Sequence, residues 1–158
     1  DAAITAVPGR VCAILTADCL PVLLTDRSGT RVAAAHAGWR GLAAGIVERT
    51  VAAMAMPGTE ILAWLGPCIG ADRFEIGPEV RDALVAGDPG ADGCVRPGRA
   101  DRWHADLQAL ARRRLIARPT IRASHAGSGS TAGSRANRIS TGASHSAPIT
   151  ARSSMRRP

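Results

Sequence analysis

Lysine and tyrosine are absent from this chain of 158 residues, and the aromatics stop at three Trp and one Phe. All 20 basic residues are therefore arginines. Lys-free, Ala/Gly/Arg-rich usage goes with translation of very GC-rich DNA, so arginine abundance alone does not argue for a nucleic-acid partner. No apolar run approaches the ~20 residues a membrane-spanning helix needs. That excludes an ordinary transmembrane helix, and no signal peptide is visible. No two of the four cysteines (Cys12, Cys19, Cys68 and Cys94) have C-x-x-C spacing, which excludes a zinc ribbon or a thioredoxin-like motif. With no secretory context they are expected to be reduced thiols in a cytoplasmic protein. The chain opens on Asp1 rather than Met, and a fragment or processed form is the expectation.

Acidic residues are missing from the last third. Residues 1–106 carry all 13 acidic residues and 10 arginines, a net charge of −3, whereas residues 107–158 carry 10 arginines and no acid. The overall charge of +7 is thus the sum of two unlike halves. Residues 117–158 also lack Leu, Val and aromatics; Ile121, Ile139, Ile149 and Met155 are their large apolar residues. Such a segment cannot bury enough surface to offset its ordering entropy, so disorder is expected there. The composition is also what GC-rich DNA gives when read out of frame, and a frameshift near 116–120 is expected. An arginine-rich nucleic-acid arm is the functional alternative.

What remains is enough for one domain. The apolar fraction is 46%, sufficient for one core. Residues 10–15 and 20–25 are apolar runs of strand length, and residues 30–36 read as a third strand. Asp26-Arg27-Ser28-Gly29 supplies turn chemistry, so the second and third strands should be antiparallel. Leu42, Ile46, Thr50/Val51 and Met54 mark an amphipathic helix ended by Pro57-Gly58. Residues 60–65 form a fourth strand. Gly77-Pro78 opens a helix to about Ala86, residues 87–101 read as loop, and Leu107, Leu110, Ala111 and Leu115 mark a last helix.

Cys19 lies between two apolar runs beside Asp18, and taken alone it is a small buried hydrophobe. His36, taken alone, is a hydrogen-bonded structural residue. Together they say more. Each lies about eight residues from the 26–29 turn, so hairpin register brings them to one end of the ribbon. A thiolate and an imidazole there can form a catalytic dyad or two ligands of a zinc or copper site. A catalytic zinc takes three protein ligands, so a third must come from elsewhere. Gly38-Trp39-Arg40-Gly41 precedes a helix, where backbone N–H groups and Arg40 can hold an anion such as phosphate. The alternative is a tight turn with Trp39 as packing. Gly66-Pro67-Cys68-Ile69-Gly70 reads as a plain turn, His104 with Asp106 as helix capping, and Arg112-Arg113-Arg114 as a solvated helix face.

Four segments in order, T-A-D-C-L-P-V-L-L (16–24), A-A-H-A-G-W-R-G-L (34–42), L-G-P-C-I-G (65–70) and F-E-I-G-P-E-V (74–80), closely resemble the bacterial laccase-domain family. These proteins are also called multicopper polyphenol oxidase-like or YfiH-like. The resemblance spans about residues 1–116, with H-A-D-L-Q-A-L (104–110) fitting the family's Asp-Leu helix. It implies an α/β sandwich with mixed β-sheets and outer helices over a partial laccase domain, 1–116, followed by the 117–158 tail. It implies a purine nucleoside phosphorylase with adenosine deaminase side activity and a zinc or copper cofactor. The family site uses two His and one Cys. Cys19 matches the Cys and His36 the second His; the first His lies upstream of this chain's start. A Cys-Thr pair and a Tyr-Arg-Arg-like segment of the family's C-terminal region have no match after Ile116.

The expected partners are a purine nucleoside (adenosine, inosine, guanosine or methylthioadenosine) and phosphate, with neither membrane nor nucleic acid. Arg40 and Gly38 are the expected substrate-binding residues. Cys19, His36 and Asp18 are the expected catalytic residues, Cys19 and His36 holding the metal and Asp18 orienting His36 or moving a proton. A copper-dependent polyphenol oxidase is the second expectation, although multicopper oxidation takes many His ligands and the chain has four His. An inactive remnant is the third.

Overall fold

The structure, a computed structural model, describes residues 1–117 and the backbone of residues 122–125. Along the chain run β1 (Ala2–Thr5), β2 (Leu20–Asp26), β3 (Val32–Ala37), α1 (Trp39–Ala43), α2 (Ile46–Ala53), β4 (Ile61–Leu65), β5 (Glu75–Ile76), α3 (Pro78–Val85), β6 (Val95–Pro97), β7 (Trp103–Ala105), α4 (Leu107–Ile116) and β8 (Arg122–His125). The strands form a five-stranded sheet, β1-β3-β2-β4-β8, and a three-stranded one, β5-β7-β6. The larger sheet is mixed: β1, β3, β2 and β4 pair antiparallel, and β4 pairs parallel with β8. The α/β class with mixed sheets holds.

Alternation along β2 explains the layering. Leu20, Val22 and Leu24 are buried on one face, together with Ala33, Ala35 and Ala37 of β3 and Ile61, Ala63 and Leu65 of β4. Each fully buried Leu contributes about 1.5–3 kcal/mol relative to exposure. Leu42 of α1, Val47 and Val51 of α2, Met54, Leu84 of α3 and Leu107, Leu110 and Leu115 of α4 belong to the same core. Helices therefore cover this face. Leu23, Leu62 and Trp64 point to the other face and remain partly exposed.

The β2–β3 hairpin is antiparallel, with Pro21 opposite His36 and Leu20 opposite Ala37. Its turn is held by the buried Asp26. That carboxylate accepts hydrogen bonds from Ser28 Oγ, Thr30 Oγ1 (2.7 Å) and the Arg31 backbone N–H (2.8 Å). These donors, the Ser28 hydroxyl foremost, hold its pKa well below the usual carboxylate range.

Several expectations need correction. Residues 10–15 are not a strand, and Val11 and Leu15 are exposed. Both edges of β3 are already taken, by β1 and β2, so this run has no edge there to join. The helix expected from Leu42 to Met54 is two helices, broken where Gly45 adopts φ of +77°, a left-handed conformation that suits glycine. The 87–101 loop contains a 3-10 turn, Pro89–Cys94, and then β6. Arg112-Arg113-Arg114 is not a uniformly solvated face. Arg114 is buried, 3.0 Å from Glu48 Oε1, and donates to the Leu84 carbonyl. Within the segment expected to be disordered, the backbone of 122–125 pairs with β4. The unpaired N–H and C=O groups of an edge strand accept a neighbour whatever its side chains. The rest of that segment, with the frameshift expected near 116–120, lies outside the described residues apart from Ile116 and Ala117.

Candidate functional site

The end of the β2–β3 hairpin sets the site. Continuing the β2–β3 register one step past Leu20–Ala37 puts Cys19 opposite Gly38. A Cβ built on Gly38 would lie 2.9 Å from Cys19 Sγ and 3.5 Å from His36 Nε2. The thiol and the imidazole therefore face one small space, and only a residue without a side chain leaves it open. Hairpin register accounts for this: Cys19, Pro21, His36 and Gly38 all point away from the helix-covered face.

His36 is anchored on its other side. Its backbone N–H donates to the Asp1 carbonyl at 2.9 Å, and its Nδ1 lies 3.6 Å from Asp1 Oδ2. That distance is beyond a hydrogen bond, and the Asp1 side chain is largely exposed. Asp1, not Asp18, is thus the carboxylate beside His36. Asp18 is exposed, and its carbonyl accepts the Ile69 N–H at 2.9 Å.

Arg40 sits in α1, exposed, with Cζ 4.4 Å from the Trp39 ring centroid. Helix α1 has five residues, so its aligned peptide dipole is short. Gly38 lies at the wall of the Cys19–His36 space, and Arg40 follows two residues later in α1.

The 66–70 loop closes the other flank and is more than a plain turn. Gly66 N–H donates to the Pro21 carbonyl at 2.9 Å, and Gln108 Nε2 donates to the Gly66 carbonyl at 3.2 Å. Burial pushes the Cys68 thiol pKa up, and the nearby Asp106 carboxylate and Cys19 add to the effect. Asp106 itself caps α4, accepting the Ala109 N–H at 2.8 Å. His104 does not cap; it lies in β7. Asp1, Cys68 and Gln108 thus join the site's surroundings without having been singled out.

One thiol and one imidazole, borderline-soft donors, suit zinc or copper. The space above Gly38 fits two donors of such a site. Among the described residues no group of three or more His, Cys, Asp or Glu converges to hold a metal, so a complete site takes a further donor from outside them.

The class is a mixed α/β fold in which a thiol and an imidazole converge at a hairpin end. The sequence profile of the multi-copper polyphenol oxidoreductase laccase family matches residues 1–138, and the chain belongs to that family. The match runs past Ile116, where the resemblance was expected to end. Among similar proteins is a purine nucleoside phosphorylase of Pseudomonas aeruginosa, 58% identical over 116 residues, which cover 73% of this chain and 48% of that protein. Another is the purine nucleoside phosphorylase YfiH of Escherichia coli, 54% identical, covering 73% and 47%. The crystal structure of a Neisseria meningitidis protein superposes with a TM-score of 0.76 at 47% identity, over 81% of this chain and 52% of that one. The chain spans about half the length of these relatives. No helix among the described residues is long and apolar enough to cross a membrane.

Proposed function

We propose that this chain carries the Cys/His half of a purine nucleoside phosphorylase site, acting on a nucleoside and phosphate to give the free base and ribose 1-phosphate. The observation that carries the reading is the convergence of Cys19 Sγ and His36 Nε2 on the space above Gly38, in a chain whose relatives bear that name. Cys19 and His36 would hold zinc or copper there, with a third ligand from outside the described residues. The metal, when bound, supplies Lewis acidity that can also serve deamination of adenosine.

The protein's own groups divide the remaining work. The Asp1 carbonyl, bonded to the His36 backbone N–H, fixes the strand that carries the imidazole. Arg40, exposed at the start of α1, supplies positive charge for phosphate. Asp18, exposed beside Cys19, is placed to exchange a proton with a bound nucleoside or with water. Gly38 keeps the space between Sγ and Nε2 free. A cytoplasmic location fits phosphate and nucleosides as substrates.

The test is adenosine conversion by the purified protein with and without phosphate, separating adenine from inosine. Phosphate-dependent adenine is expected, and Cys19→Ala should reduce it to background. Undiminished turnover by the variant would retire the site. No turnover, beside an active relative assayed identically, would retire the activity for this chain.

A further inference from the structure

The antiparallel pairing of β2 with β4, Val22 opposite Leu65, does not stop at the strand ends. Gly66 N–H donates to the Pro21 carbonyl and Ile69 N–H donates to the Asp18 carbonyl, each at 2.9 Å. The two backbones therefore stay side by side from 18 to 21 and from 66 to 69. Between the two bonds the regular ladder is interrupted, because bonds at 21–66 and 18–69 stand three residues apart where an antiparallel ladder alternates by two, and Pro67 is exposed while Leu20 is buried; it is the Asp18–Ile69 bond that brings Cys19 and Cys68 together. The two cysteines lie just inside the Asp18–Ile69 hydrogen bond. Residues facing each other across antiparallel strands have Cα atoms about 4.5–5.5 Å apart and side chains on one face. That separation falls within the roughly 4.4–6.8 Å range a disulfide spans. The side-chain surroundings agree, because Cys19 is among the charges that act on the Cys68 thiol. Both cysteines are free and partly exposed, so a small oxidant reaches them.

We propose that Cys19 and Cys68 form a redox pair, oxidised by a hydroperoxide to a reversible Cys19–Cys68 disulfide. The Cys19 thiolate attacks the peroxide oxygen, the O–O bond breaks, and an alcohol or water leaves, with Cys19 as sulfenic acid. Cys68 Sγ then attacks Cys19 Sγ; the S–S bond forms, the S–O bond breaks, and water departs with the Cys68 proton. Two electrons pass from two thiols to one peroxide, and a dithiol reductant reverses the change. If the proposed metal site is correct, the disulfide also removes Cys19 from it. That clause rests on the proposed function; the disulfide does not.

The experiment treats the metal-free, full-length protein with hydrogen peroxide and reads free thiols, intact mass and non-reduced peptide maps. Expected are the loss of two thiols and two hydrogens per chain, a Cys19–Cys68 cross-linked peptide, and reversal by dithiothreitol. Cys12 lies near Cys19 in sequence, so the map is repeated in Cys12→Ser, where the link should persist. In Cys68→Ala, the sulfenic acid on Cys19 should go on to sulfinic acid, which dithiothreitol does not reverse. A link from Cys19 to Cys12 or Cys94, or a free Cys68 beside over-oxidised Cys19 in the unaltered protein, would overturn the pair. Zinc added before peroxide separates the two ideas. Slower cross-linking supports Cys19 as a ligand. An unchanged rate leaves the redox pair standing and counts against the metal site.

Discussion

The two sheets of this molecule are held by different means. The larger sheet rests on burial: its inward positions on β2, β3 and β4 are Leu, Val, Ile and Ala with almost no solvent contact. The smaller sheet has two- and three-residue strands, and each gives only one residue to the same core, Ile76, Val95 and Ala105. Its surroundings are laced by charge in addition. Arg81 pairs with Asp92 at 2.6 Å and stacks on the Trp103 ring at 4.3 Å, Arg96 pairs with Asp72, and Arg113 pairs with Asp88 through two nitrogens. The candidate site sits at the end of the apolar sheet. The lesson is that a Cys/His geometry is inherited from a buried hairpin, whereas the smaller sheet forms a more charged border.

Breaking that contrast begins in the core. Leu65→Ala, at a position with no solvent exposure, should cost about 2–5 kcal/mol, read by urea unfolding. A cost below about 1 kcal/mol would mean that burial does not hold the larger sheet. Next comes the one arginine that breaks the pattern, Arg114, a charge inside the core region. Arg114→Ala strands Glu48 and should cost about 1–3 kcal/mol. Glu48→Leu with Arg114→Met should recover most of this, because an apolar pair of similar volume carries no desolvation cost. No recovery would make the ion pair itself stabilising.

Acid sharpens the comparison further. Asp26, in the hairpin turn, and Asp88, beside Arg113, both have carboxyls held below their ordinary pKa, Asp26 by its hydroxyl donors and Asp88 by the Arg113 hydrogen bonds. The unfolded chain takes up these protons first, so the stabilisation is complete above about pH 4 and is lost as pH falls toward the folded values. Asp26→Asn should flatten the acid side of a thermal-midpoint profile and lower the neutral plateau. An unaltered acid limb would show that the turn network does not couple to folding. The smallest effect belongs to the charged border. Asp88→Ala should cost no more than about 1 kcal/mol, and less at high salt. A larger, salt-insensitive loss would erase the distinction between the two sheets.

Legibility in the sequence followed the same division. β2, β3 and β4 are apolar runs of strand length, and the turn at Asp26 announces itself by residue type. From these the meeting of Cys19 and His36 could be read in advance. The three-stranded sheet could not, because Glu75-Ile76 and Trp103-His104-Ala105 are shorter than any periodic signal and owe their conformation to neighbours. Residues 10–15 misled for the opposite reason: both edges of β3 are taken by β1 and β2, and the run stays irregular. Gly45 was a visible helix breaker that the apolar spacing of Leu42, Ile46 and Met54 concealed. Cys68 was hidden because the register of β2 with β4 must be known before anything past Leu65 can be placed.

One feature also fixes an order in time. Among the described strands, β4 and β8 form the parallel pair of their sheet. Between β4 and β8 the chain makes the whole three-stranded sheet, α3 and α4. Closing so long a crossover costs entropy that no local contact repays. The β2–β3 hairpin, joined by a short turn, can close early, and the Cys19–His36 geometry with it. The β4–β8 pairing must wait until the intervening residues have collapsed. The candidate site is therefore assembled near the beginning of folding, and the sheet that carries it is completed at the end.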